Sequence, residues 1–155
     1  MATLYSDYLA NWRLGRRQAP NVFHGKMRVV HWLFAALPAG NIADVLVCGK
    51  MRKGERATGG REVHSALSSG GGTCTNSYGI YAVDADGQSV GAVSDVDRFL
   101  VATSFEAAGG NPIADTIAHF YGYEATADWF ICCTNSVEAN ATAGVVSGHL
   151  TVVSD

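Results

Sequence analysis

The stretch Gly87-Gln-Ser89-Val-Gly91 fits the G-x-S-x-G pattern of serine hydrolases. That elbow works because a strained strand-to-helix turn lifts the serine hydroxyl above a parallel sheet, within reach of a histidine held by an acid. Asp128 and His149 follow in a workable order. The surroundings speak against it. The residues after Gly91, Ala-Val-Ser-Asp-Val-Asp, make a poor helix, and in a chain with 18 glycines a pattern with two fixed glycines arises easily. A hydrolase using Ser89 is a distant alternative.

Four acids near the same stretch, Asp84, Asp86, Asp95 and Asp97, raise the question of calcium. Asp84, Asp86 and Asp95 occupy positions one, three and twelve of a would-be EF-hand loop, but Ser89 stands where the glycine belongs and Gln88 takes position five. A solvated acidic loop is the plainer reading. The histidines His24, His31, His64, His119 and His149 show no ligand spacing. His31 and His149 sit among apolar neighbours and read as hydrogen-bonded core or edge residues. The cysteines Cys48, Cys74, Cys132 and Cys133 lack CxxC spacing and read as small core hydrophobes. In a strand, Cys132 and Cys133 point to opposite faces, one into the core and the other onto the second face. Lys50, Arg52, Lys53, Arg56 and Arg61 could contact phosphates from a hairpin-like stretch, but the acidic remainder of the chain argues against a dedicated nucleic-acid binder. No catalytic, metal or cofactor site follows from spacing, and none is expected.

The elements are those of an all-β protein. At 155 residues, 48% hydrophobic and 16% charged, the chain fits one domain with a real core. Strands are expected over residues 24–36, 42–49, 56–67 (with Val63 and Leu67 as its apolar positions and a bulge at Gly59-Gly60), 74–83, 117–124, 128–134 and 144–153. Residues 98–104 read as a strand or a short helical turn. A flexible loop is expected at 68–72, and turns at Asp86-Gly87, at 109–112 and at 134–136. Seven or eight short strands with turns every ten to fifteen residues point to a sandwich or small barrel rather than a parallel α/β fold. No stretch approaches the ~20 apolar residues that span a membrane. The start, Met-Ala-Thr-Leu-Tyr-Ser-Asp, does not resemble a signal peptide, so synthesis in the cytosol is expected and the sequon at Asn140 carries no meaning.

The charge is unevenly spread. Residues 1–64 hold ten basic and four acidic residues, a balance of +6, whereas residues 65–155 hold one basic and ten acidic residues, a balance of −9. Such a chain can contact a copy of itself or a charged partner through either end. Residues 1–21 form a separate N-terminal arm or short helix ahead of a domain over 22–155. Leu4, Tyr5, Tyr8, Leu9 and Trp12 recur at spacings of three and four, then Arg13, Arg16 and Arg17 follow, and Pro20 stops any helix. The arm reads equally as a docking element or as a segment folded back on its own domain.

The order of motifs resembles the small virion proteins of tailed phages that act as jelly-roll capsid cement or decoration proteins. Ile42-Ala-Asp-Val-Leu-Val-Cys-Gly-Lys-Met-Arg-Lys-Gly54 is similar to their "ADV…GKLPKGA" stretch, and Val96-Asp-Arg-Phe-Leu-Val-Ala-Thr103 to their "DRFLAAT" segment. The tail Gly148-His-Leu-Thr-Val-Val-Ser-Asp155 resembles their last strand without its usual aromatic. The resemblance covers about residues 40–155, and the arm is longer than the usual opening. It implies a jelly-roll-like antiparallel β-sandwich, attachment to the major capsid protein lattice in the phage head, and self-association, often as a homotrimer. It also implies that Lys50 to Arg56 connect two strands with basic side chains outward, and that Phe99 and Leu100 enter the core. Cement needs no active site. It needs many weak contacts multiplied by symmetry. Tyr5, Tyr8, Trp12, Arg13, Arg16 and Arg17 are the expected contacts with capsid or neighbour, with Lys50, Arg52 and Lys53 beside them, because aromatic and arginine side chains anchor interfaces. A head–tail adaptor or tail protein is the runner-up.

Overall fold

A computed structural model describes residues 3–5, 22–23, 27–37, 44–67, 74–114, 123–135 and 143–154, with side chains described for all of these except 3–5, 22–23 and 36–37. The loop at 68–72 and most of the strand expected at 117–124 lie outside them. The described residues contain no helix. They form ten strands: β1 (Thr3–Tyr5), β2 (Val22–Phe23), β3 (Met27–Leu37), β4 (Val45–Met51), β5 (Arg56–His64), β6 (Thr75–Val83), β7 (Val90–Ser104), β8 (Pro112–Ile113), β9 (Trp129–Asn135) and β10 (Gly144–Val153).

Sheet A runs β1-β4-β9-β6-β7 and sheet B runs β2-β3-β10-β5-β8. From β3 onward the pairing is nested: β3 with β10, β4 with β9, β5 with β8 and β6 with β7, all antiparallel. Successive nested pairs fall in alternate sheets until the β6–β7 tip. This is one long hairpin rolled over itself, an eight-stranded jelly roll. The extra pairs β10 with β5 and β6 with β9 close each sheet. The two added strands extend the outer edges, β1 pairing parallel with β4 and β2 antiparallel with β3.

Alternation explains why these segments roll up. In β3, Val30, Trp32 and Phe34 point inward; in β10, Val146, Leu150 and Val152 do the same. They meet Tyr78, Ile80, Ile131 and Cys133 from sheet A across one core. Each such large side chain taken out of water contributes roughly 1.5–3 kcal/mol. Trp32 faces Tyr78 across the sandwich with ring centres 5.7 Å apart. In β4, Leu46 and Cys48 enter this core while Val45 and Val47 join Phe130, Cys132 and Tyr81 in a second buried cluster on the other face of sheet A. A register shift between Val47 and Gly49 leaves Cys48 as the extra residue, which turns Met51 inward and Lys50 outward. The expected bulge in β5 occurs at Thr58, next to Gly59, whose φ of 122° favours glycine.

Three features go beyond or depart from the expectations. Within β5, the apolar Val63 is half exposed and the buried pair is Glu62 and His64. A buried carboxylate is tolerable there because neighbours satisfy it, as described below. Residues 109–111 are not a turn. They run antiparallel to β5, with His64 N–H donating to Gly109 O (2.9 Å) and Asn111 N–H to Glu62 O (3.1 Å), and lead directly into β8. Strand β7 begins eight residues before Arg98, so the acidic "loop" is largely strand. As expected of the Val96-to-Thr103 segment, Phe99 and Leu100 are buried.

Strand β7 bulges strongly against β6: Tyr78 pairs with Leu100, yet Ile80 pairs with Asp95. The looping backbone passes directly over Gly79, where a Cβ would lie 2.1 Å from Asp95 O and 2.4 Å from the Val96 carbonyl carbon. Only glycine permits that approach. Replacing Gly79 with Ala should therefore destabilise the protein by about 2–3 kcal/mol, the usual cost of overpacking against backbone, read as a lower urea midpoint with an unchanged slope. An unchanged midpoint would show that β7 does not need this contact.

Candidate interaction surfaces

The residues singled out for catalysis are not assembled for it. Ser89 lies in the tight β6–β7 connection, between antiparallel strands, and its hydroxyl donates to Asp86 Oδ2. Asp86 Oδ1 also accepts the backbone N–H groups of Gln88 and Ser89, both at 2.7 Å. The acid serves the turn. His149 stands in the other sheet, on β10, and Asp128 pairs with Lys50 at 3.2 Å. Of the four acids, Asp84 and Asp86 flank the tip turn, while Asp95 and Asp97 lie in β7, with Asp95 bound to Arg98 at 2.6 Å. Asp97 accordingly titrates above its ordinary range, through its hydrogen bond with Asp95, burial and the neighbouring negative charge. Among the described residues no three His, Cys, Asp or Glu side chains converge on a metal-sized centre.

Basic residues expected at a contact divide between places. Arg52 and Lys53 are exposed on the connection from β4 to β5. That connection crosses between sheets and is not a hairpin. Its backbone is held by Glu55, whose carboxylate accepts from Arg28 (2.5 Å) and from Arg52 N–H (2.7 Å), and by Asp128, which accepts from Lys53 N–H at 3.0 Å. The backbone N–H of Lys53 and the Lys50 ammonium hold the Asp128 carboxyl below the ordinary aspartate range. Arg56 pairs with Glu124 at 2.8 Å, and Arg61 lies apart on the open face of sheet B. Tyr5 is the last residue of β1, opposite Val47; Tyr8, Trp12, Arg13, Arg16 and Arg17 lie outside the described residues.

Sequence reasoning missed the buried polar site. Glu62 Oε1 accepts from Asn111 N–H (2.8 Å) and from its side-chain amide (2.5 Å). Oε2 lies 2.9 Å from His64 Nδ1, and His64 Nε2 lies 3.0 Å from Ala107 O. Phe105 stacks on the imidazole at 3.8 Å. Both Glu62 oxygens and both His64 ring nitrogens are occupied, and the contacts to Asn111 and Ala107 fasten residues 105–111 to β5. The spacing Glu-x-His in a strand, two residues on one face, was the available signal. The four cysteines are buried, with Cys133 in the main core and Cys132 in the second cluster. Burial pushes the thiols of Cys48, Cys132 and Cys133 up, so they stay protonated and inert.

The open face of sheet B is unlike an ordinary solvated face. Antiparallel sheets usually turn polar side chains to water. Here the outward positions of β3, β10 and β5 include six large aliphatic residues, Met27, Val29, Leu33, Val145, Val153 and Val63, beside Ser147, Thr151 and Arg56. One row of imidazoles ending on an arginine crosses them: His31 opposite His149, and His149 opposite Arg61. The two imidazoles are 6.1 Å apart. His31 and His149 are thus neither core residues nor strand-edge residues. Partial burial first, and then the proximity of His31, lower the His149 pKa from its ordinary 6.5.

The described residues form a jelly-roll β-sandwich with an aliphatic-rich face on sheet B. Two solved phage-capsid structures contain chains of this fold. A chain in the capsid of Ralstonia phage GP4 superposes with a TM-score of 0.72 at 17% identity, covering 99% of both chains. A chain in the capsid asymmetric unit of cyanophage Pam1 superposes with a TM-score of 0.61 at 17% identity, covering 90% of this chain and 94% of that one. No family model and no curated protein matches the sequence.

The His31–His149 pair gives a pH prediction. Because the folded protein lowers the His149 pKa, the unfolded chain takes up the proton first as pH falls through 6.5. Stability is therefore unaffected above that pH and lost below it. Replacing His149 with Gln should shrink the drop in thermal midpoint between about pH 7.5 and pH 5.5, where histidine titrates; an identical drop in both proteins would rule the pair out as a source of it.

Proposed function

We propose that this chain is a structural virion protein of a tailed phage, a capsid cement or decoration protein that binds the major capsid protein lattice and stabilises the head. The observation that carries the reading is the end-to-end likeness of the fold to a chain of a phage capsid, over 99% of both. Three further features support it. The segments that resemble cement-protein motifs fall on β4 and its turn, on β7 and on β10, all integral parts of the jelly roll. The potential nucleophile and acids are engaged in local structure. The exposed apolar residues lie on a sheet face and a strand edge, as suits a surface that is covered in an assembly. In this reading the chain is made in the host cytoplasm, joins the head, and works as a homotrimer without a cofactor, membrane or nucleic-acid partner.

Copy number tests it. Purified virions should hold this chain at a ratio to the major capsid protein near one or a simple fraction of it, and heads lacking it should rupture at lower temperature. A dozen or fewer copies per particle would instead make it a head–tail adaptor or tail component. Complete absence from virions would end the proposal.

The attachment residues are a second part of the proposal. Tyr8, Trp12, Arg13, Arg16 and Arg17 reach the capsid or a neighbouring copy from between β1 and β2, with Tyr5 at the end of β1 and Lys50, Arg52 and Lys53 at one end of the sandwich. Replacing Tyr8 and Trp12 with Ser, and the three arginines with Gln, should leave the thermal midpoint within about 2 °C of the parent, as for surface changes. Binding to stripped heads should be lost; binding with undiminished affinity would exclude this segment as the attachment element.

A further inference from the structure

We propose that the aliphatic face of sheet B is the docking site for the acidic β7 edge of a second copy of this chain. Among the described residues the large hydrophobic side chains with the greatest exposure, 38% to 55%, are six, and they fall into two sets of three. Met27, Val63 and Val145 belong to the open face of sheet B. Val93, Val96 and Val101 belong to β7, the edge strand of sheet A, which pairs only with β6 among the described residues.

The two surfaces carry opposite charge. Strands β3, β5, β8 and β10 contain one acid between them, Glu62, and it is turned inward. Their open face carries Arg61 beside the His31–His149 pair, and Arg56, which is already paired with Glu124. The β7 edge has Asp95 and Asp97, with Asp84 and Asp86 at the adjoining turn, against one cation, Arg98, already bound to Asp95. Apolar contact supplies the area, and the charges supply the register and the choice of partner.

Charge also selects between possible pairings of copies. Two sheet-B faces placed against one another would bring Arg61 of each copy onto the same apolar surface, with no acid of these strands facing outward to answer it. Two β7 edges joined in a continuous sheet would bring Asp95 and Asp97 of each copy together. Face against edge relieves both. Since the face and the edge lie on different sides of the sandwich, each copy gives one surface and receives on the other. Such a heterologous contact closes into a ring when its rotation permits. This contact deepens the cement reading and rests on it for its role in the head, because it supplies the self-association that the reading assumes.

The test uses the purified full chain alone, by sedimentation equilibrium. The mass should rise with concentration from the 16.3 kDa of one chain to a defined oligomer. Arg61→Glu and Asp97→Arg, each at an exposed position, should each weaken association by about tenfold or more, and the two together should restore most of it, as for a close charge pair across an interface. Val63→Ser, which leaves the charges alone, should weaken it as well. Circular dichroism checks that every variant is folded. A monomer at all concentrations, an oligomer indifferent to both reversals, or two reversals that fail to compensate would each overturn the proposal. A monomer whose Arg61→Glu variant no longer binds heads would place the shell protein on this face, overturning self-docking while leaving the cement reading intact. Absence from virions would do the reverse.

Discussion

Strand β10 lies between β3 and β5 and hydrogen-bonds to both along nearly its whole length, from Val153 opposite Met27 and Arg56 to Val146 opposite Phe34 and His64. Sheet B therefore has no centre until the end of the chain meets strands formed from its first half. The same nesting applies one layer in, where β9 fills the gap between β4 and β6. Loop-closure entropy has to be overcome before any of these contacts is rewarded, so the fold is reached slowly and is held by many distant pairs together. The local clamps make sense against that background. Arg28 on β3 grips Glu55 at the start of the return to β5, and Glu55 in turn holds Arg52 N–H. One charged pair fixes where the chain leaves sheet A for sheet B.

The second clamp is Glu62. A carboxylate with no exposed surface would be costly unless paired, and here both oxygens are occupied, by Asn111 and by His64. His64 is stacked by Phe105 and tied to Ala107 O. The long excursion from β7 to β8 thereby follows β5 rather than hanging free. A buried Glu–His pair in an unknown protein invites a catalytic reading. The geometry gives it a different task, because each polar atom already has a protein partner and no substrate atom is needed to complete the set.

Much of this architecture was legible in the sequence, and the failures share a cause. The bounds of β10, residues 144–153, could be read directly because Val146, Leu150 and Val152 mark one buried face with small or polar residues between them. The first half of β7 was read as an acidic loop because an edge strand need not carry a continuous buried face, and Ala-Val-Ser-Asp-Val-Asp buries almost nothing. In β5, Glu62 is buried and Val63 half exposed because Asn111, about fifty positions away, satisfies the carboxylate, and no local pattern reports that. His31 and His149 were taken for core or edge residues because their strands are apolar on both faces. A strand facing the core on one side and a partner on the other reads like a strand buried on both. Of the expected contact residues, Lys50, Arg52 and Lys53 are placed by the fold at one end of the sandwich, and Tyr5 is placed in β1.

That last ambiguity bears on function. Charges on an edge strand ordinarily keep it from pairing with whatever strand it meets, and an aliphatic sheet face left open is ordinarily a liability. Both features occur here in one chain, and each answers the other: the acids that prevent indiscriminate pairing of β7 are attracted to Arg61 on the open face. The uneven charge of the sequence, basic before residue 65 and acidic after it, survives folding as two surfaces because the nested topology puts β3, β5 and β10 in one sheet and β7 at the rim of the other. A contact too weak to hold one pair of copies is enough when symmetry repeats it.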